Sequence, residues 1–206
     1  MRKLSIVSFV LAIVISCWSC SDDDDKRYPS LFTDFLTAET DSKGNVAFVT
    51  LDDGSRYAVS RIISTDNKKD TLLRCLANYT IDDGNIDIYN IRNIFSKHAL
   101  PADSFKTVAK DPVKVTSVWR GNKFLNIHLG VMTTGKGTHT YGFCIDSVKG
   151  NMSYVSLMHQ RPEDDAESYT SNVYMSLPLE GFATDSLSFC VHTYEGFYTK
   201  TTNTNK

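Results

Sequence analysis

Apolar and polar residues alternate along most of this chain in short runs, and polar turns separate one run from the next. Leu31 to Thr37 is the first β-prone run. Val46-Ala47-Phe48-Val49-Thr50-Leu51 and Arg56-Tyr57-Ala58-Val59 then flank Asp52-Asp53-Gly54-Ser55. An Asp-Gly pair between two such runs predicts a hairpin, because a type I′ turn needs positive φ at its central residues. After the polar loop at Lys68-Lys69-Asp70, residues Leu73, Cys75, Ala77, Tyr79 and Ile81 share one face of the next predicted strand. Asp82-Asp83-Gly84-Asn85 turns the chain into Ile86-Asp87-Ile88-Tyr89-Asn90-Ile91. No window sustains a 3.6-residue period, so this half is expected to be β.

Residues 96–112 break the rhythm. They are polar, carry Pro101 and Pro112, and read as a linker, with the boundary placed near Lys110. Beyond it, strands are expected at Val113 to Arg120, Phe124 to Thr133, Thr138 to Val148, Met152 to His159, Tyr169 to Leu177 and Ser186 to His192. The tail from Lys200 is rich in Thr and Asn and is expected to fray. About six short strands at this spacing suggest an antiparallel sandwich.

The N-terminus follows a different pattern. Arg2 and Lys3 precede an uncharged apolar run, Leu4 to Ile15, which falls short of the roughly 20 residues that span a bilayer. Small residues then precede cysteine, as in a cleaved secretory signal. A cysteine at the cut followed by Ser21-Asp22-Asp23-Asp24-Asp25 resembles a bacterial lipoprotein with a surface-export tether. Cys20 is the expected acylation site. Cys17 is the alternative, since Val14-Ile15-Ser16-Cys17 fits the processing signal well. Cys17-Trp18-Ser19-Cys20 has redox spacing without the βαβ context that such a motif needs.

Charge and cysteine usage narrow the partners. The formal charge is −2, and loss of residues 1–19 removes Arg2 and Lys3 and makes it −4. Nucleic-acid binding would call for a basic patch or stripe, so no nucleic acid is expected. Cys75, Cys144 and Cys190 are an odd set in an oxidising compartment and are read mainly as buried small hydrophobes.

One motif carries a family likeness. Val118-Trp119-Arg120-Gly121-Asn122-Lys123-Phe124-Leu125-Asn126-Ile127-His128-Leu129-Gly130, continuing through Met132-Thr133-Thr134-Gly135-Lys136-Gly137, resembles the NigD-like lipoproteins. The likeness runs from the signal past Pro178, and the Gly44-to-Val59 hairpin supports it. It implies an all-β chain with an OB-like N-terminal barrel followed by a C-terminal antiparallel β-sandwich. The expected division is signal peptide 1–19, acidic tether 20–27, OB-like domain 28–110 and sandwich 111–206. The family takes its name from a gene beside a bacteriocin gene, so the likeness also implies a role in immunity, and it supplies no catalytic residues.

The residues themselves suggest no enzyme. No G-x-S-x-G, H-E-x-x-H or P-loop pattern occurs. His98, His128, His139, His159 and His192 are scattered without metal-ligand spacing, so neither metal nor cofactor is expected. His159 with Glu163, Asp164 and Asp165 reads as a solvated acidic loop. Asp82 to Asn85 lacks the alternating ligands of a calcium loop and reads as a turn.

Register supplies the candidate site. Gly135-Lys136-Gly137 fits a three-residue hairpin loop that pairs Val131 with Tyr141, Leu129 with Phe143 and Ile127 with Ile145. Lys149-Gly150-Asn151 likewise pairs Ile145 with Val155 and Phe143 with Leu157. The opposite face then sets Gly130 across from Gly142, with Asn126, His128 and Asp146 nearby. Glycine inside a strand marks close approach, either of another layer of the fold or of a partner in a shallow groove. The expected function is a lipid-anchored surface module of the outer membrane that binds a protein or glycan partner. The alternative is an accessory or structural subunit of an outer-membrane complex, related to glycan uptake or transport.

Overall fold

The computed structural model describes residues 30–65 and 68–205. The signal segment, Cys17, Cys20 and the acidic tether lie outside the described residues. Among the described residues the regular structure is strand, apart from one 3-10 turn at Ala102–Ser104.

Five strands close the N-terminal barrel: β1 Phe32–Thr40, β2 Val46–Leu51, β3 Arg56–Val59, β4 Leu72–Asp82 and β5 Asn85–Asn93, in the order β1-β2-β3-β5-β4. β3 and β5 are parallel and the other neighbours antiparallel, an OB-like arrangement. So narrow a barrel leaves little room inside. Ala38, Cys75 and Ala77 accordingly alternate with Leu36, Val49, Ile86 and Ile88 in its buried core. Both Asp-Gly sites are turns. Asp83 and Gly84 both have positive φ, the type I′ requirement, whereas in the first hairpin only Gly54 does. There Gly54 N donates to Leu51 O at 3.0 Å and Leu51 N to Ser55 O at 2.9 Å, giving a longer loop than type I′.

Nine strands build the sandwich: β6 Phe95–Ser96, β7 Leu100–Pro101, β8 Lys114–Arg120, β9 Phe124–Thr133, β10 Thr140–Lys149, β11 Met152–Gln160, β12 Tyr169–Pro178, β13 Ser186–Thr193 and β14 Gly196–Asn203. One sheet runs β14-β13-β11-β10-β7 and the other β6-β12-β9-β8. Leu125, Ile127, Leu129 and Val131 of β9 face Phe143, Val155, Leu157 and Phe189 across the interior. Each fully buried side chain of this size contributes roughly 1.5–3 kcal/mol.

Three expectations change here. Residues 95–101 join the sandwich rather than forming a linker. Phe95 and Ser96 pair with Met175 and Ser176, and Leu100 and Pro101 with Cys144 and Ile145. The strand pairing therefore changes lobe near Ile94, not Lys110, because an apolar two-residue strand can extend a sheet edge despite nearby prolines. The tail does not fray either. β14 pairs with β13 from Thr193–Gly196 to Ser186–Asn203, since threonine is a good strand former even where the sequence looks polar.

The third change is topological. β9 pairs with β8 and β12, and β10 with β11 and β7, so the two strands lie in different sheets. Gly135-Lys136-Gly137 is a crossing between sheets and not a hairpin loop. The Ile145–Val155 and Phe143–Leu157 pairs do stand as expected. Cys75, Cys144 and Cys190 are free thiols, the first two buried.

Candidate functional site

β1 outruns its neighbour. Its pairing with β4 extends from Glu39–Leu72 to Phe32–Tyr79, but its pairing with β2 stops at Leu36–Leu51. Among the described residues, Phe32 to Phe35 therefore have a sheet partner on one edge only. The chain leaves β2 through Asp52 and Asp53, and the space between is a cleft of about 500 Å³. Trp119 of β8 and Tyr174 of β12 bring the sandwich to its wall, and Tyr57 and Tyr79 bring the barrel mouth.

Rings in the cleft are ordered by their neighbours. Phe32 stacks on Tyr79 at 5.6 Å, and Trp119 tilts on Phe35 at 5.1 Å. Phe32 is 44% and Trp119 38% exposed, so both keep a face toward solvent. Tyr79 O–H donates to Asp34 Oδ2 at 2.9 Å. Burial pushes the Tyr79 phenol far above its usual range, so it remains a donor.

Beneath the cleft lies a buried polar knot. β4 alternates, so Leu73 and Cys75 fill the barrel while Arg74 points outward, yet Arg74 is itself buried against the sandwich. Its Nη2 lies 2.7 Å from both Asp52 oxygens and 2.9 Å from Asn126 Oδ1, and Nε donates to Ser176 Oγ at 3.1 Å. Asn126 Nδ2 donates to Asp52 Oδ2 at 2.5 Å, and Ser176 Oγ donates to Asn126 Oδ1 at 2.8 Å. The guanidinium also sits 4.1 Å from the Phe124 ring centroid. Burial lowers the Arg74 pKa and the adjoining Asp52 carboxylate works against that, so the pair is held as an ion pair. A Cβ on Gly121 would lie 2.2 Å from Asp52 Oδ2, which is why the Trp119-Arg120-Gly121-Asn122 segment has glycine there.

The five residues of the expected groove scatter. Asn126 is fully buried in the knot. His128 stacks on Tyr174 at 4.3 Å and lies 3.0 Å from Asn172 Oδ1. Gly130 pairs with Asn172 and Lys114, and a Cβ there would meet Thr170 at 2.7 Å. Gly142 pairs with Met158 and lies under Phe105, 2.7 Å from a notional Cβ. Asp146 accepts from Ser156 at 3.0 Å and meets Lys110 at 3.7 Å. The expected Gly130–Gly142 pair does not exist because the two strands belong to different sheets. Both glycines serve close packing.

A second cluster is also unlike its expectation. Asp165 is buried, not solvated. It accepts from Thr133 Oγ1 at 2.6 Å, Thr134 Oγ1 at 2.6 Å, Thr134 N at 2.7 Å and His139 Nε2 at 2.6 Å. Those bonds, the Thr133 hydroxyl first, hold its carboxyl well below the usual range. His139 Nδ1 lies 2.9 Å from His159 Nε2, and His159 Nδ1 donates to the Asp111 carbonyl at 3.0 Å. With Asp165 ionised, every contact in the run is a hydrogen bond when the two rings share three protons. Burial lowers the His159 pKa. Each hydroxyl here donates to the carboxylate and none to a histidine, so the cluster pins a loop and has no activated nucleophile. Among the described residues no group of His, Cys, Asp or Glu is arranged to hold a metal.

Sequence reasoning missed Phe32, Asp34, Phe35 and Tyr174. Phe35 and Leu36 are both buried, on opposite faces of β1, and only the fold shows that the second face meets the sandwich.

The profile of a NigD-like C-terminal β-sandwich domain matches residues 97–203. No curated protein sequence matches the chain. A NigD-like immunity protein from Bacteroides caccae ATCC 43185 is 25% identical, with TM-score 0.70 over 85% of this chain and 93% of that one. A candidate toxin-related protein from Parabacteroides distasonis ATCC 8503 shares the fold at 19% identity and TM-score 0.70, over 85% and 94% of the two chains. A candidate lipoprotein from Bacteroides fragilis NCTC 9343 shares it at 11% identity and TM-score 0.59, over 84% and 96%.

Proposed function

The chain belongs to the NigD-like family, and from that premise we propose a lipid-anchored, non-enzymatic surface module that docks a partner in the cleft beside β1. The observation that carries this reading is the pair of solvent-facing rings, Phe32 and Trp119, set on a rigid buried base. Aromatic rings supply large contact area at low conformational cost, and such anchors dominate recognition sites. The immunity protein from B. caccae supports a toxin as one form of the partner. Anchoring rests on the apolar run ahead of Cys17 and Cys20 and on the Ser21-to-Asp25 tether.

The test is capture from the native envelope by the full lipidated chain, compared with Phe32→Ala and Trp119→Ala. A partner captured by the parent chain and lost by both variants is the expected result. Equal capture by all three would sink the reading. Palmitate labelling should disappear in Cys20→Ala and persist in Cys17→Ala, and the reverse pattern would move the anchor to Cys17.

A further inference from the structure

Charge in the cleft leans one way. Asp34, Asp52 and Asp53 line it, and among the described residues no Lys, Arg or His does. Asp52 is neutralised from below by Arg74. Asp34 and Asp53 have no basic partner among the described residues, where the ion pairs involve other acids. One oxygen of each is occupied: Asp34 Oδ2 by the Tyr79 hydroxyl, and Asp53 Oδ1 by Ser55 N–H at 2.7 Å. The other oxygen of each has no hydrogen-bond donor among the described residues.

Two carboxylates beside open aromatic faces favour a cation. Guanidinium groups already lie on rings in this fold, Arg56 over Phe48 at 3.9 Å and Arg92 over the cleft-wall ring of Tyr174 at 4.7 Å. Arg92 is thereby taken up on Tyr174 and does not line the cleft. The free edge of β1 adds a constraint of another kind. Backbone groups along Phe32 to Phe35 that have no sheet partner among the described residues, roughly 13 Å at 3.3 Å per residue, are a template for an extended chain. A sugar could stack on the rings, but it has no main chain to complete a strand edge.

We propose that the cleft receives an extended basic segment of a protein partner, which adds to the β1 edge at Phe32–Phe35 and places arginine or lysine side chains against Asp34, Asp53 and the Trp119 ring. This names the ligand class for the binding site proposed above and rests on that reading. The mode is strand addition, in which main-chain bonds give affinity and alternate side chains give specificity. Asp34 and Asp53 would set the charge preference and a salt-sensitive association rate.

The probe is a hexapeptide alternating threonine and arginine, titrated into the full chain carrying Trp18→Phe so that Trp119 is the only tryptophan reporter. A saturable change in Trp119 emission is expected, weakening as salt rises. Binding should fall roughly tenfold or more with citrulline in place of arginine, with N-methylation of alternate amides, and in Asp34→Asn/Asp53→Asn. The asparagines keep the acceptors for Tyr79 and Ser55, so the melting temperature should hold. Equal binding of the citrulline peptide, preferential binding of a xylo- or cello-hexaose, or no saturation by about 1 mM peptide would each overturn the proposal. Envelope capture that needs Trp119 but ignores the two aspartates would sink this inference and leave the binding-module reading standing. Capture indifferent to both would sink the two together.

Discussion

Replacing Arg74 by methionine tests whether the buried knot holds barrel and sandwich as one unit. The Arg74 side chain is 3% exposed and bonds Asp52, Asn126 and Ser176. Methionine keeps the apolar stem packed near Phe124 but leaves the Asp52 carboxylate without its cation. Removing one partner of a buried ion pair costs about 3–5 kcal/mol. Asp52 is 22% exposed, so water reaches it and the cost falls at the low end, about 3 kcal/mol. For a chain of this size that lowers the melting temperature by roughly 6–12 °C. Urea unfolding followed by Trp119 fluorescence and by far-ultraviolet dichroism measures it. Arg74→Lys, which keeps charge and loses the planar fork, should fall between parent and methionine variant. Arg74→Met with Asp52→Leu should recover part of the loss, because no charge is then left unpaired. A cost below about 1 kcal/mol for Arg74→Met, the scale of an exposed ion pair, would refute the reasoning.

Gly121→Ala should destabilise by roughly 1–3 kcal/mol, since its Cβ would overlap Asp52 and Asn126; an unchanged urea midpoint would show that the knot shifts freely. Acid should weaken the protein through His159. Its folded pKa is lowered by burial, so it contributes stability above the ordinary histidine value of about 6.5 that is lost as pH falls below it. Thermal melts from pH 7.5 down to 5 should decline steadily, with a flatter decline in His159→Asn; a flat parent profile would contradict this. A fragment of residues 94–206 should melt higher than one of residues 112–206, because only the longer piece keeps the edge strands β6 and β7.

Much of the barrel was legible because its information is local. Leu73, Cys75, Ala77 and Tyr79 alternate by parity, and parity is all that a strand needs to declare an inner face. The two Asp-Gly turns were legible for the same reason. The candidate site was not, since it depends on outer faces that another lobe covers. Arg74 in the sequence is simply the polar residue of an alternating strand, and its burial appears only when β9 and β12 bring Asn126 and Ser176 to it. Asn126 was singled out, but as part of a groove. Its neighbours prove to be Asp52 and Arg74, residues 74 and 52 positions away.

The misread crossing at Gly135-Lys136-Gly137 shows the limit more sharply. Two consecutive strands with matching apolar faces satisfy a hairpin and a sandwich crossing equally well, because parity is the same in both. Ile127, Leu129 and Val131 do share one core with Phe143 and Val155, as parity requires, but they meet it from opposite sheets. What differs is the distance the connection must span, about 5 Å between paired strands and about 10 Å between facing sheets. Glycines at 135 and 137, with φ of 79° and 71°, suit either path. In the crossing, Asp165 ties the connection together, binding Thr133 and Thr134 at one end and His139 at the other. That carboxylate stands 31 residues beyond Thr134 and 26 beyond His139. It reads in sequence as one acid among several in a polar loop, yet it is buried against both ends of the connection, while the pairings of β9 with β8 and β12 and of β10 with β11 and β7 keep the two strands in separate sheets.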